Sequence, residues 1–357
     1  MIIFEDEFSP SVAGVTVLDR LVVALHRGGC RQVTLCGRRW LPSVKRAEAL
    51  GIELRREESF PLIHETTLIA RGDTLVTAPD IRRLIESGGR LLGTDGSLLD
   101  VGVVSPDQVN GRCVQYDHLK TLSATGPARR IRGSADADAA GRELWASLQS
   151  ACDGAVDTCF NRPVGRPLAK LLAGTPVTPN QISVVATLIG LTGGCLMARG
   201  AYGSVLAGAV LFQLSTIIDC IDGDLARVAF KESALGKWLD LVGDNVVHIG
   251  VFAGLGIGLW RGGAAGPVAG LTVSALLGVI ISLLVIIRAN HMPASVARSR
   301  LQGLIERMTN RDFSVLLLAL AAVDRTVWFI WMLGIGVHCF WIVALGLQFA
   351  RSEREER

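Results

Sequence analysis

The sequence predicts a chain in two parts, a soluble α/β domain at the N-terminus followed by an all-α polytopic membrane domain with six transmembrane helices. Half of the 357 residues are hydrophobic and the mean hydropathy is +0.41, which is too apolar for an ordinary soluble chain. Long apolar runs fill the second half, whereas short helical and strand patterns alternate in the first. We therefore divide the chain into an α/β domain (1–135), a linker with an interfacial helix (136–178) and a membrane domain (179–357).

The N-terminal part shows helical periodicity at residues 14–27, 45–50 and 79–86, and strand-like runs at 32–36, 52–54, 67–70, 90–93 and 101–104. Helices that alternate with strands favour a mostly parallel sheet. In residues 139–172, basic residues lie among apolar ones, which is typical of a helix at a membrane surface. An ordinary soluble connecting helix is the alternative.

The second half contains the predicted membrane spans, each of which needs about 20 apolar residues. Runs at 181–198, 204–221, 239–260 and 266–287 qualify, and 313–349 is long enough for two spans with a break near Asp324 and Arg325. Thr178 and Pro179 suit the N-cap and the first position of the first span. Glycines would let these helices pack closely, namely Gly190, Gly193, Gly194, Gly208, Gly254, Gly256 and Gly258.

The charge pattern bears on partners and orientation. A net charge of +3 gives no indication of a nucleic-acid partner. Basic residues beside the apolar runs fall mainly on one side of the membrane, which predicts contact with membrane lipids. The same asymmetry predicts that both termini, the soluble domain and residues 219–244 lie at the cytoplasmic face of the cell (inner) membrane. The eight cysteines are scattered without a Cys-x-x-Cys pair, so we expect neither a zinc site nor a disulfide framework. The acidic start of the chain does not resemble a signal peptide.

Residues 219–244 carry the candidate chemistry. Asp219 and Asp222 are three residues apart, and Asp240 and Asp244 are four apart, so each pair shares one face of a helix. A carboxylate at membrane depth costs about 2.5–3.5 kcal/mol on insertion scales, and no run of Lys or Arg at helical spacing opposes these four. Bound divalent cations are the best candidates to neutralise them. All-oxygen ligation suits Mg²⁺ or Mn²⁺, and two such ions about 3.5–4 Å apart serve displacement at phosphorus.

The neighbouring residues suit the same site. Gly223 lets a ligand approach the backbone, and Ala226 keeps the next turn small. Arg227 is a fixed positive charge for a phosphate or for one of the carboxylates. We interpret Asp224, outside this pattern, as a solvated loop residue, and His248 as a helix-packing residue. The alternative that the aspartates merely cap helices or extend to the membrane surface does not explain their spacing.

The pattern Asp-x2-Asp-Gly-x2-Ala-Arg-x8-Gly-x3-Asp-x3-Asp resembles the signature of the CDP-alcohol phosphotransferase family, and all eight fixed positions match. The resemblance implies that a CDP-alcohol donates its phosphoryl-alcohol group to an acceptor alcohol and that CMP is released. It implies that Asp219, Asp222 and Asp240 bind the metals and that Asp244 is the general base and also touches a metal. It further implies a CDP site lined by Gly223, Ala226, Arg227 and Gly236, a core of six spans, and a homodimer.

The N-terminal order of elements resembles a sugar-nucleotide-type nucleotidyltransferase domain. Residues 17–36 are similar to that family's helix and second strand, and residues 68–73 to its strand ending in Gly-Asp, where Asp73 would hold a metal. We prefer the simpler interpretation of Asp73 as a turn residue after a strand. The family's glycine-rich phosphate loop is missing, and the acidic residues 4–10 stand in its place. We therefore expect a degenerate domain without nucleotidyl transfer.

The resemblance leaves the substrates open. CDP-diacylglycerol is the family's commonest donor and gives a phospholipid. One branch instead uses CDP-inositol with an inositol phosphate acceptor and makes di-inositol phosphate phosphate. Its members carry a nucleotidyltransferase domain before the membrane core, and residues 161–180 of this chain also resemble that branch. A function of another class, a non-catalytic membrane transporter or anchor protein, is disfavoured by the intact four-aspartate pattern.

Overall fold

A computed structural model describes residues 2–4, 10–37, 44–110, 113–148, 154–264, 266–291 and 313–355. Most of the acidic stretch at 4–10 lies outside the described residues. The chain forms two compact units. The N-terminal unit comprises Met1–Leu148, Ala173–Thr175 and Val228–Phe230, and the helical unit comprises Gln149–Leu172, Pro176–Arg227 and Lys231–Arg357.

The N-terminal unit is built on a seven-stranded sheet. Its strands are β1 (Ile2–Phe4), β2 (Val33–Cys36), β3 (Leu54–Glu57), β4 (Thr67–Arg71), β5 (Gly89–Leu92), β6 (Leu98–Val104) and β7 (Thr121–Ser123). They lie in the order β7-β5-β6-β4-β1-β2-β3. The two pairs made by β6 are antiparallel and the other four are parallel. The described sheet is therefore mixed but mostly parallel, as the sequence predicts.

Four helices and several short segments complete this unit. The helices are α1 (Val17–Arg27), α2 (Lys45–Ala49), α3 (Ala78–Ser87) and α4 (Ser134–Ser147), with a 3-10 turn at Pro106–Gln108. Short antiparallel pairs join Ser11–Val12 to Val15–Thr16, Thr74–Leu75 to Arg129–Arg130, and Val109–Asn110 to Cys113–Val114. Thr16 caps α1, since its hydroxyl accepts the N–H of Asp19 at 3.2 Å. The apolar face of α1 is fully buried in the same core as the strand residues Leu35 and Ala70.

Asp80, in the first turn of α3, is fully buried and joins two segments of the N-terminal unit. Its carboxylate accepts hydrogen bonds from Thr77 Oγ1 at 2.7 Å and from the N–H and Oγ1 of Thr125 at 2.8 and 2.7 Å. The N–H of Gly126 donates at 3.2 Å. Burial raises the pKa of Asp80, but these hydrogen bonds favour the charged form more strongly and bring the pKa below its ordinary value of 3.8.

Asp73 lies in the turn between β4 and the short strand Thr74–Leu75. Its carboxylate pairs with the Nε atoms of Arg71 at 3.0 Å and Arg130 at 2.9 Å. Two guanidinium groups thus neutralise this carboxylate. The interpretation of Asp73 as a turn residue is confirmed.

The N-terminal unit also includes Val228–Phe230, a segment that lies in the sequence between the two halves of the aspartate pattern. The guanidinium carbons of Arg20 and Arg27 lie 5.4 and 5.2 Å from the centre of the Phe230 ring. Arg46 Nη2 donates to the carbonyl of Phe230 at 2.8 Å. Nothing in the local sequence predicts these contacts, because they join residues far apart in the chain.

The helical unit contains α5 (Arg162–Ala173), α6 (Pro179–Met197), α7 (Tyr202–Val228), α8 (Ala234–Arg261), α9 (Val268–His291), α10 (Phe313–Ala322) and α11 (Thr326–Glu355). Thr178 caps α6, and Thr178 and Gln181 form a capping box with Pro179 at the first helical position. The predicted start of the first span is confirmed.

Five of the described helices are long and apolar enough to cross a membrane, namely α6, α7, α8, α9 and α11. Between 22% and 50% of each apolar stretch is buried within the protein, which leaves apolar surface for lipid. The predicted sixth span corresponds to α10, which has only ten described residues and is too short to cross a hydrocarbon core of about 30 Å. The described residues thus contain five candidate spans and one shorter apolar helix, and the prediction of six spans stays a prediction. The predicted break at Asp324 is confirmed, with φ of +54° at that residue.

Glycines bring α6 against α8, as predicted. A Cβ atom at Gly194 would lie 2.5 Å from the carbonyl oxygen of Gly250, and one at Gly190 would lie 2.6 Å from Val247 Cγ1. The other predicted glycines also approach neighbouring helices or turns more closely than a side chain permits: Gly193, Gly208, Gly254, Gly256 and Gly258. This packing holds the start of α8 beside the start of α6.

Helix α5 has two different faces. Its exposed side and the π-helical segment Asp157–Asn161 directly before it carry apolar side chains three or four residues apart, namely Phe160, Val164, Leu168 and Leu171. On the other side, a Cβ atom at Gly165 would lie 3.0 Å from Ile221 Cγ1, so this face packs closely on α7. An exposed apolar stripe on a helix with basic residues supports the interfacial interpretation, which stays a prediction.

Candidate metal and nucleotide site

The eight pattern residues lie at the end of α7 and the beginning of α8. Asp219, Asp222, Gly223, Ala226 and Arg227 belong to the last turns of α7, and Gly236, Asp240 and Asp244 to the first turns of α8. Ser233 fixes the start of α8, since its hydroxyl accepts the N–H of Gly236 at 2.9 Å. The chain reverses between the two helices, so the two halves of the pattern come together.

Three carboxylates from the two helices converge. Asp219, Asp222 and Asp240 each have one carboxylate oxygen within 4.8 Å of those of the other two. Asp222 is buried, Asp219 is half-buried and Asp240 is exposed. The cluster therefore extends from the interior of the helical unit to its surface, where a ligand has access to it.

This donor set fits a hard divalent cation. Ligand oxygens lie about 2.0–2.1 Å from Mg²⁺, so oxygens on opposite sides of one ion are about 4 Å apart. Oxygens already within 4.8 Å of one another need only small side-chain rotations to share an ion. Three carboxylates without nitrogen or sulfur ligands match the preference of Mg²⁺ and Mn²⁺ for oxygen.

Ser183 of α6 also contacts this cluster, which the sequence alone does not predict. It is buried, and its hydroxyl donates a hydrogen bond to Asp222 Oδ2. The signal that the sequence offers is weak, a serine in an apolar span shortly after the N-cap Thr178. Such a bond orients the carboxylate, as residues around protein metal sites commonly do for the ligands.

Asp244 lies outside the group of three. Together with Asp219 it lines a small cavity whose walls also include Thr187, Thr216 and His248. The structure thus brings together three of the four predicted metal ligands and places the fourth in a cavity that Asp219 shares. A metal contact by Asp244 stays a prediction.

The predicted nucleotide-binding residues have close local surroundings. A Cβ atom at Gly223 would lie 3.1 Å from Arg227 Nη2, so glycine makes room for the guanidinium group. At Gly236 a Cβ atom would lie 3.0 Å from Asn180 Oδ1, which brings the start of α6 to the site. Ala226 is half-buried on α7. Their contact with a nucleotide stays a prediction.

The interpretation of Asp224 as a solvated loop residue is wrong. Helix α7 continues to Val228, so Asp224 is helical, and it is 1% exposed. Its carboxylate accepts hydrogen bonds from Arg162 Nη1 and, at 3.1 Å, from Arg227 Nη2. Arg166 Nε lies 3.7 Å away. The interpretation is wrong because the predicted second span ends at residue 221, so that Asp224 is expected in a loop, whereas α7 extends to Val228.

His248 is a packing residue, as expected. Its ring centre lies 5.8 Å from that of Phe252, in a stacked arrangement, and 5.2 Å from that of Phe313, edge to face. His248 also lines the cavity that contains Asp244.

A second buried polar network joins α7 to the π-helical segment Asp157–Asn161 before α5. Asn161 Nδ2 donates to Asp157 Oδ1 at 2.7 Å, and Gln213 Nε2 donates to Asn161 Oδ1 at 2.7 Å. All three residues are at most 6% exposed. The network holds the π-helical segment against α7, and the Asp224 ion pairs hold α5 against the same helix.

Residues 176–342 match the family model of the CDP-alcohol phosphatidyltransferases. The matched region contains α6 to α8 with the whole aspartate pattern. This region, slightly less than half of the chain, is therefore similar to the CDP-alcohol phosphatidyltransferase family of enzymes.

Individual relatives are similar either over a short part of the chain or at low sequence identity. The "bifunctional IPC transferase and DIPP synthase" of Thermococcus kodakarensis is 38% identical over 95 residues, which are 27% of this chain and 21% of that protein. The protein of the same name from Rubrobacter xylanophilus is 25% identical over 315 residues, covering 69% of this chain and 72% of the relative, so this similarity includes the N-terminal part. The crystal structure of Mycobacterium tuberculosis phosphatidylinositol phosphate synthase with CDP-DAG bound is 18% identical, with a TM-score of 0.38, and covers 52% of this chain and 93% of that one.

Proposed function

We propose that this protein is a metal-dependent transferase that moves the phosphoryl-alcohol group of a CDP-alcohol to an acceptor alcohol and releases CMP. The observation that carries the proposal is the convergence of Asp219, Asp222 and Asp240 from two apolar helices, within the region that matches the family. Like charges held this close repel one another unless a cation lies between them. A binding site for divalent ions accounts for their proximity.

Asp219, Asp222 and Asp240 would hold Mg²⁺ or Mn²⁺, and we expect two ions. When bound, the metal neutralises the donor's diphosphate and the charge that develops on CMP. Ser183 keeps the Asp222 carboxylate oriented through its hydrogen bond. Arg227 would bind a donor phosphate, and the small residues Gly223, Ala226 and Gly236 would leave space for the nucleotide.

Asp244 is the proposed general base for the acceptor hydroxyl, and it would also touch a metal. A general base must reach the proton directly or through one water. Because Asp244 and Asp219 line one cavity, a hydroxyl group in that cavity would lie near both the base and a metal ligand. Abstraction of its proton would produce the alkoxide-like nucleophile that attacks phosphorus.

We propose an inositol phosphate as the acceptor, because the relative whose similarity extends over 69% of the chain is named for DIPP synthesis. The donor is CDP-inositol or CDP-diacylglycerol. The apolar exposed surface of the helices is compatible with a lipid donor. From the distribution of basic residues we place the reaction at the cytoplasmic face of the membrane. A homodimer stays a prediction.

The test measures CMP release by the purified full chain in lipid nanodiscs with Mg²⁺ or Mn²⁺. CDP-diacylglycerol and CDP-inositol are supplied separately, each with inositol phosphate, glycerol phosphate or serine. We expect release from one donor with inositol phosphate, and none after chelation by EDTA.

Release from CDP-diacylglycerol would define a phospholipid synthase, and release from CDP-inositol a synthase of a soluble product. Folded protein that releases no CMP from either donor in the presence of metal would contradict the proposal. That result would favour a non-catalytic membrane transporter or anchor.

A further inference from the structure

We infer that Asp224 is a positioning residue for the nucleotide site, because its carboxylate holds the guanidinium group of Arg227 beside the metal-binding aspartates and joins it to α5 through Arg162. The inference rests on the proposed function, in which Arg227 binds the donor's diphosphate. Asp224 is outside the eight-residue pattern and outside the carboxylate cluster, so neither explains why a charged side chain is buried there.

The contacts of Asp224 connect two helices. Its Oδ1 atom accepts from Arg162 Nη1 of α5 and from Arg227 Nη2 of α7, the latter at 3.1 Å. Its Oδ2 atom lies 3.7 Å from Arg166 Nε, one turn further along α5. The side chains of Asp224 and Arg162 are only 2% and 6% exposed, whereas that of Arg227 is 28% exposed. Arg227 is therefore held from its buried side and remains accessible on the other.

The position of Asp224 on α7 explains how it acts through Arg227. A helix turns about 100° per residue. Viewed down the axis of α7, the pattern residues occupy an arc of about 140° around the helix. Their angular order along this arc is Asp222, Ala226, Asp219, Gly223 and Arg227. Asp224 comes about 60° beyond Arg227, on the side away from Asp222. Arg227 thus lies between the metal ligands and Asp224, next to the space that Gly223 leaves open.

The charges also favour this role. Three guanidinium groups, those of Arg162, Arg166 and Arg227, lie around the one carboxylate of Asp224. Buried charge is unfavourable unless an opposite charge approaches, and Asp224 supplies one. Without the Asp224 carboxylate, the three cations would repel one another, and the most exposed of them, Arg227, would turn toward solvent. Asp224 therefore sets the position of Arg227, whose exposed side remains available to a phosphate.

The test measures binding of CDP in the presence of Mn²⁺ by titration calorimetry on the full chain in nanodiscs, together with KM and kcat for the donor. Asp224→Asn removes the charge but keeps an acceptor oxygen. We expect it to weaken CDP binding and to raise the donor KM by about 10- to 100-fold, the effect of losing a hydrogen bond between charged groups. We expect kcat to stay within about threefold, because the metal ligands and the base are untouched. Asp224→Glu, which keeps the charge, is expected to restore most of the affinity.

A double variant distinguishes positioning from a structural role. If Asp224 acts through Arg227, Asp224→Asn combined with Arg227→Gln binds CDP no more weakly than Arg227→Gln alone. Additive losses would overturn the inference. This comparison also decides the matter if Asp224→Asn alone fails to fold, because the double variant removes one charge of each sign. Asp100→Asn, which removes an ion pair with Arg90 in the N-terminal unit, is the control and should leave CDP binding unchanged.

The two proposals fail in different ways. Wild-type protein that binds CDP with Mn²⁺ but releases no CMP would contradict the proposed function alone, and the binding comparison would still test Asp224. Equal CDP affinity of the wild type and Asp224→Asn would overturn the inference at any level of turnover. Wild-type protein that does not bind CDP would overturn both.

Discussion

Ser183→Ala tests whether the three-carboxylate cluster binds metal, because it changes the cluster without removing a ligand. In the wild type, the buried Ser183 hydroxyl donates to Asp222 Oδ2, and the carbonyl of Pro179 lies 3.2 Å from the same hydroxyl. Alanine removes the hydroxyl and keeps the helix propensity high. The Asp222 carboxylate would then lose the group that orients it.

The expected size of the effect follows from this one bond. A hydrogen bond to a charged group contributes about 1.5–3 kcal/mol, and each 1.4 kcal/mol corresponds to about tenfold in affinity. Loss of the bond should therefore weaken Mn²⁺ binding by about 10- to 100-fold, the range found for residues that support metal ligands. CMP release should fall at limiting Mn²⁺ and recover at saturating Mn²⁺, since the ligands themselves remain.

The assay is a Mn²⁺ titration followed by electron paramagnetic resonance, run beside CMP release as a function of Mn²⁺ concentration. The control is Thr192→Val, which removes an exposed hydroxyl that donates to the carbonyl of Leu188 on the same helix. The control should titrate like the wild type. Unchanged Mn²⁺ affinity in Ser183→Ala, or a loss of activity that excess Mn²⁺ does not restore, would refute the reasoning.

The remaining predictions concern catalysis, packing and pH. Asp219→Asn and Asp244→Asn should both abolish CMP release with membrane insertion intact, and Asp219→Asn should weaken Mn²⁺ binding more than Asp244→Asn does; near wild-type activity of Asp244→Asn would exclude it as the base. Gly194→Val should destabilise the protein by about 1–3 kcal/mol or more, seen as a lower thermal midpoint in nanodiscs, because its side chain would overlap the carbonyl of Gly250. The lowered pKa of Asp80 means that its contribution to stability is fully present above about pH 3.8 and is lost as the pH falls through the folded-state pKa. The difference in thermal midpoint between wild type and Asp80→Asn should therefore shrink below this pH, and a constant difference would contradict the assignment.

The sequence predicts the elements whose cause is local. The strand at Val33–Cys36, the helix at Ala78–Ser87 and the break at Asp324 all appear where periodicity, proline and turn residues indicate them. The meeting of Asp219, Asp222 and Asp240 is also predictable, since two short spacings on consecutive helices leave few other arrangements. In each case a few neighbouring residues contain the whole signal.

The features that the sequence does not predict depend on contacts between distant residues. Strand β1 is absent from the prediction because three residues, Ile2–Phe4, become a central strand only when β2 and β4 pair with both of their edges. Asp224 is misread because its partner Arg162 is 62 residues away, and an aspartate in an apolar stretch gives no sign of which cation will neutralise it. Ser183 is overlooked for the same reason, since Asp222 is 39 residues further along the chain.

The buried polar groups between α5 and α7 are better explained by positioning than by stability. An ion pair such as Arg162–Asp224 recovers little more than the cost of desolvating its two charges, and apolar side chains of similar size would often stabilise the helices as well or better. The Asp157, Asn161 and Gln213 network is subject to the same argument. Such groups do, however, favour the observed arrangement of the two helices, because a shift would break the hydrogen bonds between them. We therefore expect variants that replace them with apolar residues to retain folding while losing affinity for the donor, as Arg227 ceases to be held at the edge of the aspartate cluster.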